Sequence, residues 1–231
     1  MRVATPVIAA LILVITVGYA PLTHAGITLD QEQPQVDENM PPNGLIGPTT
    51  QGLAQLLRTE FFGRLCQVDV AIECTGNADD SISVSIQNVE NGFPGDSLLA
   101  MITIAIGDLP PPNPGDPYFV SFFFNGEAPL LYNETDYALI LRAIPQGNGR
   151  VIGGLSTTEP GAECSVLSGP RGDSYLRGNA FYNATPDQPQ RWTCFCAGAD
   201  NAFDIPFRTY MEEVTVQVEA KTWGEIKALH R

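Results

Sequence analysis

The side chains that most often do chemistry are unevenly supplied in this sequence. Histidine is nearly missing: His24 sits just after an apolar N-terminal run, and His230 is the next-to-last residue. A Ser-His-Asp or Cys-His arrangement needs an imidazole held in a fixed pocket, so His230 could serve only if the C-terminus folded back into the domain. Histidine-ligated zinc fails on the same ground. No glycine-rich loop joins a strand to a helix, so the sequence offers no phosphate cradle. Carboxylates are abundant: 26 Asp and Glu stand against 12 Lys and Arg. A glycoside hydrolase or lyase of the carboxylate type needs two of them facing each other across a cleft. Most of these acids fall in turn clusters or on the polar faces of strands, where solvated Asp and Glu are the ordinary occupants.

Two loops could hold calcium, which takes several oxygens from carboxylates and carbonyls. "TGNADDS" carries Asp79 and Asp80, and "AGADNAFD" carries Asp200 and Asp204. Neither follows the twelve-residue EF-hand pattern. Sugar binding would use aromatic rings flanked by polar groups. Trp192, Tyr175, Tyr182, Tyr118 and Tyr132 are the aromatic candidates, with Asp173 beside Tyr175, and a place in the core is the alternative for each ring. Two sequons, at Asn133 and Asn183, mark acceptor sites only in a host that glycosylates.

The five cysteines are Cys66, Cys74, Cys164, Cys194 and Cys196. An odd number leaves at least one thiol free or paired between chains. Cys194 and Cys196 are two apart on one strand face, which disfavours a mutual bond. Cys66 and Cys74 would lie roughly 26 Å apart on a continuous strand, so they can pair only if the chain bends. The expected bond runs from Cys164 to Cys194 or Cys196. The spacing matches no zinc pattern.

What must position these groups is a set of β-strands. "RLCQVDVAIEC" puts Cys66, Val68, Val70, Ile72 and Cys74 on one face, and "SISVSIQ" points Ile82, Val84 and Ile86 inward with Ser81, Ser83 and Ser85 outward. "LLAMITIAI", "YFVSFFF", "DYALILRAI", "FDIPFRTYM" and "VTVQV" are further strands. Between them lie Gly-, Pro-, Asn- and Asp-rich turns such as "NGFPGDS" and "GDLPPPNPGDP". Short strands at regular spacing predict an all-β fold: a two-sheet antiparallel, jelly-roll-like β-sandwich over residues 49–218.

Residues 1–25 read as a secretory signal: Arg2, the apolar run Val7–Val17, and small residues Thr23 and Ala25 before a cleavage point. The run is too short for a membrane span, so no span is expected after cleavage. Residues 26–48 are polar and proline-rich and read as a flexible leader. Residues 219–231 form a separate tail with Trp223, Ile226 and Leu229 at helix-like spacing. A formal net charge of −14 argues against nucleic acid and anionic membranes as partners. A secreted or cell-surface location follows.

The order of the pieces then matters. "ISVSIQNVENGFPGDSLLA", "FVSFFF", "PLLYNETDYALILRA", "GDSYLRGNAFY", "QRWTC" and "FDIPFRTYM" follow one another. This resembles the jelly-roll domain of secreted bacterial "choice-of-anchor" proteins over residues 50 to 211. The matching residues are Ile86, Pro94, Gly95, Leu98, Leu131, Tyr137, Leu139, Leu141, Asp173, Tyr175, Gly178, Trp192, Asp204 and Phe207. The tail, with Trp223, Gly224, Ile226 and Lys227, resembles a short sorting tag, with His230 where an aromatic is usual. The cysteines and the insert from Thr158 to Pro170 depart from the pattern.

The resemblance implies a secreted surface module without a general catalytic activity. It also reframes Arg171-Gly172-Asp173, which by itself looks like an integrin-type adhesion motif. The frame becomes Asp173-x-Tyr175-x-x-Gly178, with Asp173 organising a turn and Tyr175 packing beside Trp192. The expected function is a non-enzymatic module that binds polysaccharide or other surface proteins. The alternatives are a carboxylate-dependent hydrolase or lyase, and a self-assembling extracellular subunit.

Overall fold

A computed structural model describes residues 26–36, 45–46, 52–75, 81–112, 115, 118–144, 163–166, 175–183, 191–195 and 204–214. The strands in chain order are β1 (Ile27–Gln33), β2 (Leu45–Ile46), β3 (Gly52–Arg58), β4 (Gly63–Thr75), β5 (Ser81–Glu90), β6 (Phe93–Ala105), β7 (Phe119–Phe123), β8 (Leu130–Leu131), β9 (Asp136–Ile144), β10 (Glu163–Val166), β11 (Ala180–Asn183), β12 (Thr193–Cys194) and β13 (Phe207–Glu213). One 3-10 turn, Ile106–Asp108, follows β6. Among the described residues no helix is long and apolar enough to cross a membrane.

The strands form two antiparallel sheets. The seven-stranded sheet runs β1-β13-β4-β10-β2, with β7 and β8 also on β4; the six-stranded sheet runs β12-β11-β3-β9-β5-β6. Neighbours are distant in sequence, as in a jelly roll: β3 lies beside β9, and β4 beside β13. The sheets face each other across one core. Val68, Val70, Phe122, Phe207 and Met211 from one sheet meet Leu53, Leu57, Ile82, Val84, Ile86, Leu139 and Leu141 from the other. Each buried side chain of this size contributes about 1.5–3 kcal/mol relative to exposure.

The predicted all-β sandwich is therefore the fold, but three local expectations change. First, Ile27–Gln33 is not part of a loose leader. It pairs with β13, and Asp30, Gln31 and Gln33 are buried. The polar composition misled because this strand buries hydrogen-bonding groups, not apolar ones. Second, the β5–β6 turn is Asn91-Gly92 alone, with φ of 52° and 80°. Two adjacent positive φ values make the tight hairpin turn that Asn-Gly favours, and Pro94 and Gly95 already belong to β6. Third, Ser81, Ser83 and Ser85 point away from the core yet are buried, because β5 is flanked by β9 and β6 and the serine side chains are short.

Strand β4 also breaks its own alternation. The β4–β13 register shifts between Tyr210 and Met211: Gln67 faces Tyr210, while Leu65 faces Met211. Cys66 is the extra residue of that bulge. Leu65 takes the core position, and Cys66 is only half-buried. Asp69, expected on a polar outer face, is buried and accepts a 2.6 Å hydrogen bond from Gln67 Nε2. Residues 215–231, which take in most of "VTVQV" and the whole tail, lie outside the described residues.

Candidate functional site

The best-defined polar constellation lies where β1, β3 and the segments before β11 and β13 converge. Strand β3 is apolar except for its last residue, Arg58, and for Gln55, which points into the core with no exposed surface. A buried carboxamide must find partners. Gln55 Nε2 donates to Asp204 Oδ1 (3.0 Å) and to the Leu56 carbonyl (3.1 Å), and Gln55 Oε1 accepts from the Ile205 N–H (2.8 Å). The second oxygen of Asp204 accepts from the Tyr175 N–H at 2.9 Å. Asp204 thus fixes two chain segments to β3.

The Tyr175 ring packs edge-on against Phe207, centroids 5.2 Å apart. Its hydroxyl donates to Gln31 Oε1 (2.8 Å) and accepts from the Arg58 N–H (3.2 Å). Burial pushes the Tyr175 phenol up to about 12. Asp30, next to Gln31, accepts from the Glu60 and Phe61 N–H groups at 2.9 and 3.1 Å. Burial outweighs these bonds and raises its carboxyl above the ordinary range. Above this network lies an open notch of about 430 Å³ lined by Leu29, Asp30, Gln31, Glu32, Glu60, Tyr175, Leu176 and Arg177. Arg177 and Glu60 form an ion pair 2.5 Å long in it.

Gly178 closes this corner. Its N–H donates to the Tyr175 carbonyl at 3.3 Å, and Leu56 N–H donates to the Asn179 carbonyl at 2.9 Å. A Cβ on Gly178 would run into the Leu56 carbonyl. That close approach is why the Tyr-x-x-Gly spacing needs glycine.

Trp192 is elsewhere. Tyr175 belongs to the core between the sheets, whereas Trp192 packs with Ala54, Leu56, Ala138, Ile140 and Phe181 on the opposite face of the six-stranded sheet. Arg142 lies over the indole, 5.4 Å from its centroid, and burial lowers the Arg142 pKa. The expected Tyr175–Trp192 pairing does not form, because neighbouring residues of a strand project to opposite faces: Ala180 and Tyr182 of β11 face the core, and Phe181 faces Trp192. Tyr175 and Trp192 keep 6% and 8% exposure, so neither offers a free ring face. Tyr182 is half-buried against Phe195, centroids 4.9 Å apart.

Of the remaining candidates, Asp79, Asp80, Asp173, Asp200, Cys196 and the whole Arg171-Gly172-Asp173 tripeptide lie outside the described residues. Among the described residues no group of three or more His, Cys, Asp and Glu could hold a metal ion, and both oxygens of Asp204 already accept protein hydrogen bonds. Cys164 stands opposite Cys74 in the β10–β4 register of the seven-stranded sheet, while Cys194 stands opposite Phe181 in the other sheet. Cys66 is a free thiol whose pKa is raised by burial. Asn133 is exposed, and Asn183 is buried in β11.

Two surface features were not singled out in the sequence. An apolar groove of about 500 Å³ lies between Ile72, Cys74, Ile106, Leu109, Tyr118 and Val120. Strand β6 carries Phe93, Leu98, Leu99 and Met101, each 40–51% exposed, along the edge of the six-stranded sheet. In sequence "LLAMITIAI" reads simply as a further strand, and nothing in that run marks which strand ends a sheet. Compared with known proteins, the chain matches no protein family, no curated protein and no solved structure.

Proposed function

We infer that this chain is a secreted, non-enzymatic β-sandwich module that adheres to other surface proteins. The signal-like residues 1–25 and the motif order shared with choice-of-anchor domains support export and a surface role. The observation that carries adhesion is the gathering of Phe93, Leu98, Leu99 and Met101 on one sheet edge. Contiguous exposed apolar residues mark contact surfaces more often than scattered ones. Protein contact is favoured over sugar binding because Tyr175 and Trp192 are covered by the protein itself, and Tyr132 is the one sugar-binding candidate ring among the described residues that stands well exposed. Two carboxylates are already committed to structural partners, which weighs against the hydrolase reading: Asp136 is held by Arg58 at 2.6 and 2.9 Å, and Asp204 by Tyr175 and Gln55.

The test is adhesion of the purified mature chain to protein-coated and polysaccharide-coated surfaces. Adhesion to protein that is lost in Leu98→Asp/Leu99→Asp supports the reading. Binding confined to polysaccharide and unchanged by that substitution would overturn it.

A further inference from the structure

Strand β6 closes one side of the six-stranded sheet among the described strands, so its outer row of N–H and C=O groups faces away from β5. A long edge strand is normally blunted by charge, proline, a bulge or a cover. Here Pro94 and a register break guard only the first half: Ile86 faces Ala100 and Gln87 faces Leu98, which leaves Leu99 as an extra residue. Beyond it, Ala100–Ala105 runs in unbroken register against Ile86–Ser81. Those six residues, "AMITIA", contain no charge, proline or glycine. Such six-residue segments have the composition that favours strand addition.

Resting on the adhesion reading above, we propose that the partner of this edge is a second copy of the chain, joined through β6 to β6 about a two-fold axis. Charge selects this occupant. The chain carries a formal net charge of −14, yet no charged residue lies between Asp96 and Asp108. A basic partner finds no acid to grip there, whereas two copies of an acidic protein can approach closely only along an uncharged strip. Symmetry selects it as well. A two-fold axis across a sheet edge sets the strands antiparallel, the arrangement of every pair among the described strands. Pairing of Ala100–Ala105 with its copy joins both six-stranded sheets into one and sets Met101 of each copy opposite Ile104 of the other.

Sedimentation velocity of the full mature chain over a concentration series tests this, beside Met101→Lys/Thr103→Lys. Both side chains are exposed, and circular dichroism with thermal melting checks that the variant folds. The expected result is a doubled mass for the parent chain and a dimer weakened by about tenfold or more in the variant. Amide exchange at Ala100–Ala105 should slow as concentration rises. A parent chain that stays monomeric, or a dimer indifferent to both lysines, overturns the proposal. A monomer that still adheres through these residues overturns it while leaving the adhesion reading in place. A dimer that adheres to nothing supports the β6 pairing and removes the adhesion reading.

Discussion

The Tyr175 hydroxyl lies 2.8 Å from Gln31 Oε1 across 144 residues of chain. It ties β1 to the corner that Gly178 closes. Replacing Tyr175 by Phe keeps the ring against Phe207 but removes the donor to Gln31 and the acceptor for the Arg58 N–H. Leaving buried partners unpaired costs about 1–3 kcal/mol. Urea unfolding of Tyr175→Phe should show a midpoint lowered to that extent with little change in slope. A Gln31→Met/Tyr175→Phe double mutant should lose less than the sum of the singles, because the partners disappear together.

The same phenol makes stability depend on alkaline pH. Its pKa rises from the ordinary 10 to about 12 in the fold. Below pH 10 it is protonated in both states, and its contribution is complete. Between about 10 and 12 the unfolded chain sheds the proton first, so stability falls as pH rises, by at most about 3 kcal/mol. The pH-dependent loss should be smaller in Tyr175→Phe than in the parent chain, and equal losses would show that another group is responsible.

Asp30 titrates at the other end of the scale but with the same sign. Its folded carboxyl is raised by burial, so its stabilising protonated form is complete below the unfolded pKa near 4 and is lost as pH rises above it. Asp30→Asn keeps an oxygen for the Glu60 and Phe61 N–H groups. Melting temperatures compared at successive pH values from 4 upward should give a flatter profile for D30N than for the parent chain.

Gly178→Ala drives a methyl into the Leu56 carbonyl, a backbone atom that cannot move without disturbing β3. The expected cost is about 2 kcal/mol or more, larger than the roughly 1 kcal/mol typical of point substitutions. Thermal unfolding measures it. A loss below about 0.5 kcal/mol, the size seen at neutral surface sites, would show that the corner relaxes.

Cys66 should react slowly. Its thiol is half-buried and its pKa is raised by burial, so little thiolate is present at neutral pH. Native protein mixed with a thiol reagent should modify Cys66 much more slowly than the same protein in denaturant, as peptide mapping will show.

The fold class was legible because strands write their period into sequence. Ile82, Val84 and Ile86 fill every second place, and all three reach the core. Tyr137, Leu139 and Leu141, aligned by motif order, reach it too. Legibility failed where one residue shifted the phase. The bulge at Cys66 hands the core position to Leu65, and only the shifted register with β13 reveals it.

The candidate site was half legible. Tyr175, Gly178 and Asp204 were picked out in the sequence, and they do share one corner; Gln31, Gln55 and Asp30 were missed. A lone glutamine within "GLAQLL" was the available signal for Gln55, since an amide amid apolar neighbours on a buried strand must be satisfied by something. Nothing local marked Gln31, whose partner lies at the far end of the chain.

The sequence alone determined the all-β class, the period of strands such as β5 and β9 and the acidity of the molecule, because these depend on neighbours along the chain and on counting charges. Which face each ring occupies, and which edge is left open, depends on strand order. Tyr175 and Trp192 part to opposite faces of one sheet because side chains alternate across β11, and β6 is the last of the described strands in that sheet because β3 pairs with β9 and β9 with β5. Those pairings join residues far apart in sequence, and local composition carries no record of them.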